Sequence, residues 1–534
     1  MSNQMFKKLG TLIHFIWRRD RIRLFIWIAA ITATTLGTAS SFSGLYVNEN
    51  ERQLLAETMI NPAMIAMVGP STGLDNYTFG AMLAHQMLLF TAITVAIMNI
   101  LFITRHTRAD EEEGNIEMIR SLPTGRLSNL TAVLTVALIS NALIMVIIGA
   151  GLPLLQIDSI DWNGSILYGA VLGATGFFFA AITTLFAQLS DNAKGTIGFS
   201  FTLLIVSYLI RAIGDVSNDT LSAFSPLGII LDTHVFVLND WWPLAILGML
   251  TVLIALCAVY LHAIRDLGAG FFPTKPGRVH ASRWLQSPSG LAIRLQRTGI
   301  IAWAIGMYVL GASYGSVLGD LDTFFADNEV MQDFLAPIPG VSLTDQFISL
   351  LLTIMAMIGT IPVLLSLLKL KGEESKHRLE SMLALPISRY QLLGSYFMIA
   401  MLLSIFMNLL AVLGLWSVGN TVLDNGLSLM TLIKSDIVYL PAIWVMVGVA
   451  IVLLGTTPKQ TGFIWLYLTY SFIVVYMGDL FQFPTWMKKA SPFGYVPQMP
   501  VEDMRVTPVL SLFVIAIIMM IAGFLFYRKR DLQG

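Results

Sequence analysis

Long apolar runs alternate with short polar segments along the chain, and most runs are long enough to cross a membrane. A transmembrane helix needs about 20 predominantly apolar residues to traverse roughly 30 Å of hydrocarbon. Twelve stretches fit: 24–45, 78–104, 129–153, 164–189, 195–214 and 242–263, then 298–318, 345–368, 391–416, 437–455, 462–478 and 508–527. The first 23 residues hold six Lys/Arg and no short apolar core ending in a small-residue cleavage site, so no removed signal peptide is expected. Residues 6–17 mix Phe, Leu, Ile and Trp with Lys7 and Lys8, which predicts a segment lying along the inner interface.

Twelve spans put both termini on one side, and basic residues favour the cytoplasmic side of a membrane. With the N-terminus inside, 26 of the 32 Lys/Arg fall in inner segments and 6 in outer ones. The expected location is therefore a bacterial cytoplasmic membrane, multi-pass, with both termini cytoplasmic. Trp162, Trp241, Trp242, Trp416 and Trp486 fall near the outer edges, as an aromatic belt requires. Composition agrees: 56% of the 534 residues are hydrophobic and only 12% charged, against about 25% charged in a soluble domain. A near-neutral chain of this kind is no nucleic-acid binder. The single cysteine, Cys257, excludes a disulfide framework or a thiolate metal centre. No metal site and no catalytic constellation is expected. The predicted fold class is an all-α polytopic membrane protein.

The two halves repeat one another. The segment "EEEGNIEMIRSLPTGR" (111–126) precedes the third span and "ESKHRLESMLALPISR" (374–389) precedes the ninth. At an offset of 263, Glu111 matches Glu374, Glu117 matches Glu380, Pro123 matches Pro386 and Arg126 matches Arg389. Ile116, Ile119 and Leu122 are apolar at intervals of three, as are Leu379, Met382 and Leu385. Gly214 and Asp215 recur as Gly478 and Asp479, and "SPLG" (225–228) recurs as "SPFG" (491–494). Two tandem six-span units follow, both entering from the inside: 1–263 with an N-terminal interfacial helix, and 298–534, joined by a cytoplasmic linker, 264–297. The linker's Gly, Pro and basic residues suit a connector without a domain of its own. No "GxxxxGK[ST]" occurs, so this chain has no P-loop for ATP.

Each repeated inner segment reads as a short amphipathic helix, acidic at its start, where the helix dipole favours carboxylates, and stopped by Pro123 or Pro386. A solvated hairpin accounts for one such loop. Its recurrence, and an apolar stripe that needs covering, favour docking to two equivalent protein partners. Lipid is the other possible cover, but four consecutive acids (110–113) sit poorly against an anionic leaflet.

The first segment resembles the E-x-G-[TN]-x-E-x-[LI]-x-x-x-P-x-x-R signature of permeases of type-2 ABC exporters. The doubled unit and the lead "SPSGLAIRLQR" into the seventh span are similar to the polyketide-antibiotic exporter permeases. The second copy departs, with Ser375, His377 and Arg378 at positions of the pattern. The resemblance implies the type-2 ABC exporter fold, with each short helix a coupling helix seated on one of two copies of a separate ATPase subunit. Glu111, Glu113, Gly114, Ile116, Glu117, Pro123 and Arg126, with Glu374, Leu379, Glu380, Pro386 and Arg389, would then be the ATPase-coupling residues. ATP and Mg would be bound by the partner, and no cofactor by this chain. The cargo would be a hydrophobic or amphiphilic, antibiotic- or drug-like compound moved out of the cell; a lipid-exporting permease is the nearest alternative. The resemblance also likens the outer segments around 214–231 and 478–497 to a re-entrant outer gate.

A twelve-span ion-coupled carrier is the rival architecture. It is disfavoured by the acidic loop after the second span and by the absence of acids at span centres. Four polar residues within spans are candidates for the substrate pathway: His85, Asn99, Asn141 and Asn408. Each has a packing alternative, an interhelical hydrogen bond. The G-x-x-x-G runs at 311–319 and at Gly169/Gly173 predict close helix packing.

Overall fold

The computed structural model describes residues 5–46, 48–60, 62–70, 72–217, 219–272, 279–320, 342–375, 378–423, 426–476 and 483–530. Among these residues the architecture is helical, with no strand beyond an isolated bridge between Ser190 and Phe272. Eleven helices among the described residues are long and apolar enough to cross a membrane. The protein is thus a polytopic all-α membrane protein of about 12 spans. The eleventh predicted span is a 14-residue helix, Phe463–Tyr476, too short on its own to cross. His377, Gly478 and Asp479, named above, lie outside the described residues.

Contacts divide the chain into two compact units, Met1–Pro276 and Gly277–Gly534. The first contains α1 (Leu9–Leu45), α2 (Phe79–Thr104), α3 (Asn115–Ser121), α4 (Ser128–Leu154), α5 (Trp162–Leu189), α6 (Ala193–Ser217), α7 (Pro226–Leu231) and α8 (Trp242–Ile264). The second contains α9 (Pro288–Val317), α10 (Leu343–Glu374), α11 (Arg378–Leu383), α12 (Arg389–Val422), α13 (Leu440–Thr456), α14 (Phe463–Tyr476) and α15 (Val506–Lys529).

The repeat extends to packing. In the first unit α1 lies on α4 and α2, α2 on α5 and α6, α4 on α5, and α5 on α8. In the second, α9 lies on α12 and α10, α10 on α13 and α14, α12 on α13, and α13 on α15. The second and fourth spans of each unit are enclosed, whereas the sixth is peripheral: 17% of its most apolar stretch is buried in α8 and 22% in α15. The outward faces of α8 and α15 are therefore left for lipid.

Glycines set the closest approaches. A Cβ on Gly311 of α9 would lie 1.9 Å from the Ala411 carbonyl oxygen of α12, so no side chain fits and the backbones touch. Gly228, on α7, and Gly494 likewise admit no Cβ, each facing the carbonyl oxygen six residues upstream (Ser222 or Lys488) at 2.0 Å. Thus the repeated "SP[LF]G" turns the chain tightly in both units.

The N-terminal segment corrects an expectation. Residues 9–45 form one unbroken 37-residue helix rather than an interfacial helix followed by a span. Leu12 and Ile16 pack on Phe102, Ile103, Ala132 and Val133. Two of the charges along it are met from other helices of the unit. Arg19 pairs with Asp110 at 2.7 Å, and buried Asp20 lies 2.6 Å from His106 and 3.3 Å from Arg105.

Candidate functional site

The segments predicted to share the inner side of the first unit do meet at one end of it. Gly125 N–H donates to the Lys7 carbonyl and Ala193 N–H to Glu112, while Arg265, just after α8, reaches Glu111. The loop before α4 is built differently from its sequence reading. α2 runs on through a π turn, Arg105–Ala109, into Asp110–Glu112, and the helix stops at Gly114, whose φ of 75° suits only glycine without strain. Asp110, Glu111 and Glu112 therefore close a helix instead of opening one. The macrodipole is unfavourable to them there, and cations and N–H groups from elsewhere in the unit offset it. Arg19 grips Asp110 through two bonds, at 2.7 and 2.9 Å.

Glu111 faces inward. Its carboxylate pairs with Arg265 at 2.9 Å and Arg108 at 3.2 Å and accepts the Gly268 N–H at 2.6 Å. Ile116 is buried and Ile119 packs on the core that holds Leu12 and Ile16, so most of the stripe that seemed to need a partner is covered by the unit itself. Arg126 donates to the Arg265 carbonyl at 3.0 Å. The other face of the loop is open: Glu113, Glu117, Met118, Ser121, Leu122 and Pro123 are exposed. Half-buried Arg120 is held below its usual pKa by burial, reinforced by the neighbouring Arg126. Behind α3, Glu111, Arg120, Gln188, His262 and Arg265 help line a cavity of about 20 Å³, room for one water and far too small for a drug.

The second unit repeats the division. Glu374 is buried against Arg530, Leu379 is 2% exposed, and Arg389 donates to the carbonyls of Arg528 and Arg530 at 3.1 and 2.5 Å. Glu380, Ser381, Leu385 and Pro386 are exposed. Of the residues read as partner contacts, Glu111, Ile116, Glu374 and Leu379 are thus turned into their own unit. Glu113, Glu117, Pro123, Glu380 and Pro386 remain on the surface, and Gly114 shapes the turn. Arg265 and Arg530 are the residues sequence reasoning missed. Their one signal was position, each the residue that caps the sixth helix of its unit.

The pathway candidates are bonded internally. Asn99 and Asn141 exchange reciprocal amide bonds of 3.0 and 2.9 Å between α2 and α4. Buried His85 has Nε2 3.2 Å from the Gly69 carbonyl oxygen and Nδ1 2.9 Å from the Tyr77 hydroxyl. Since a carbonyl only accepts, Nε2 carries the proton and Nδ1 accepts from Tyr77. Burial pushes the Tyr77 phenol up to about 12, so it keeps the proton it donates. Asn408 donates to the Ser404 carbonyl at 2.8 Å, while its buried Oδ1, facing Gly359, finds no partner.

Two repeated units of membrane-length helices, each with a shaped polar loop at one end, describe a duplicated polytopic membrane protein. The chain belongs to a family of multidrug efflux permeases: the family model described as "Multidrug efflux system permease Rv1217c, C-terminal domain" matches residues 9–263 and 285–528, one block in each unit. Among its relatives is the multidrug efflux system permease protein Rv1217c of Mycobacterium tuberculosis (strain ATCC 25618 / H37Rv). The two are 33% identical over 529 residues, covering 98% of this chain and 95% of that protein.

Proposed function

We propose that this permease is the membrane subunit of an ATP-driven exporter of the type-2 ABC class, moving a hydrophobic or amphiphilic drug-like compound out of the cell. Two copies of a separate ATPase would bind ATP and Mg and dock on the exposed faces of α3 and α11. In this reading those faces, both termini and the linker lie in the cytoplasm beneath a bacterial cytoplasmic membrane. The observation that carries it is the division of the repeated loop. One face of the loop around α3 is consumed within the unit, while the other keeps an acidic and apolar surface, Glu117 and Met118 on α3 with Glu113 and Leu122 flanking it. The second unit repeats it with Glu380 on α11 and Leu385 and Pro386 just after it.

The test is co-expression with a candidate ABC ATPase, sought first among the genes adjoining that of the permease. Wild-type permease is expected to capture the ATPase, and Glu117→Lys with Glu380→Lys to lose it while inserting normally in the membrane. No capture by the wild type sinks the ABC reading. Full capture by the doubly reversed variant moves the docking surface elsewhere.

A further inference from the structure

Each unit ends its sixth span on an arginine that reaches back to the loop between its second and third spans. In the first unit Arg265 caps α8, pairs with Glu111 at 2.9 Å, and offers its carbonyl to Arg126 at 3.0 Å. In the second Arg530 caps α15, pairs with Glu374, and offers its carbonyl to Arg389 at 2.5 Å. The figure is the same, formed by an acid at the end of the second span, an arginine ahead of or opening the third, and an arginine after the sixth. Its ionic members are withdrawn from solvent, with side-chain exposures of 8% and 6% for Glu111 and Arg265, and 8% and 9% for Glu374 and Arg530.

The end of the fourth span is gathered in as well. Arg530 donates to the Leu454 carbonyl of α13 at 2.9 Å, and Arg108, the second partner of Glu111, donates to the Ala187 carbonyl of α5 at 2.5 Å. In the first unit the clasp continues into the linker, where Gly268 N–H donates to Glu111 and Gly270 N–H to Asp191, both at 2.6 Å.

We propose that Arg265 and Arg530 are positioning residues of the transport cycle. Each fuses the loop carrying the short helix to the inner end of the sixth span, so the two move as one body. A sixth span that packs chiefly on one neighbour and is mostly exposed has little else to drive it. The clasp supplies the connection, since buried, paired and hydrogen-bonded groups resist separation far more than surface ion pairs do. This deepens the proposed function and rests on it in one respect, that the force on the loop comes from an ATPase.

The experiment uses the full-length permease with its ATPase in cells, and reads efflux of ethidium or rhodamine 6G, whichever the wild type exports, per inserted permease. Arg530→Glu is expected to lower that efflux about tenfold while the ATPase still co-purifies. Exchanging the pair, Glu374→Arg with Arg530→Glu, is expected to restore most of it. A pair that serves only as a staple would lower the amount of inserted permease and leave efflux per permease unchanged, which overturns the proposal. A second variant, Glu374→Cys with Arg530→Cys in a Cys257→Ala background, is joined by a short reversible thiol cross-linker. Efflux is expected to survive the lock, because the joined parts never separate, and a lock that halts efflux overturns the proposal in favour of a latch that opens. Failure of the wild type to capture the ATPase refutes the proposed energy source alone, and the two efflux comparisons still decide the clasp.

Discussion

Asn99 and Asn141 show how much a polar residue inside a span leaves open until its neighbours are known. Their identity within apolar runs was plain, and a hydrogen bond across helices was one of two readings. The reciprocal pair makes each amide the other's solvent. Truncating Asn99 to Ala is expected to strand the Asn141 amide, and a double-mutant cycle of Asn99→Ala and Asn141→Ala should give a coupling of about 0.5–2 kcal/mol, measured by thermal inactivation in detergent. The set of exported compounds should stay the same, and a changed drug profile with unchanged stability would favour the pathway reading instead. Glu111 is the harder case. Its glutamate signature was legible, but the direction of its carboxylate was not, because Arg265 lies 154 positions away. Local sequence carries no record of so distant a partner.

Among the elements, the long apolar runs were the most legible, because burying a backbone in hydrocarbon admits few solutions besides a helix. Ends were less so. α9 begins at Pro288, ten residues ahead of its apolar run, on a Ser287 cap that receives the Gly290 N–H. α1 begins at Leu9, fifteen residues ahead of its predicted span, and runs on unbroken with Arg19 and Asp20 paired inside the unit. The glycine run of α9 was read correctly as a packing surface. Gly311→Val is expected to force α9 and α12 apart, since even a Cβ would meet the Ala411 carbonyl. The cost should be about 1–3 kcal/mol, read as a lowered inactivation temperature. The exposed Gly306, with open space around its Cβ position, should accept Ala with no such change, and equal losses at both positions would reject the backbone-contact account.

For the molecule as a whole, the near-zero net charge becomes a strong asymmetry along the membrane normal when the residues are sorted by the expected twelve-span topology. In the proposed orientation the 26 basic residues assigned to inner segments would share a side of the membrane with the clasps, whose acids are neutralised inside each unit, and the exposed acids of α3 and α11 would be exceptions to that basic bias. That contrast has consequences only if the orientation is right, and orientation is directly measurable. In a Cys257→Ala background, single cysteines placed at Asp158 or Asp240 should react in intact cells with a membrane-impermeant maleimide. Cysteines at Leu122 or Leu385 should react only after the cells are opened. All four lie in loops, and Leu122 and Leu385 are 60% and 57% exposed, so in cells that express the permease without its ATPase, failure to label them before opening reports the membrane and not cover. The reverse pattern would put α3 and α11 outside, where a cytoplasmic ATPase cannot reach them. It would also leave the 26-to-6 charge bias opposed to the rule that sets the orientation of multi-span proteins.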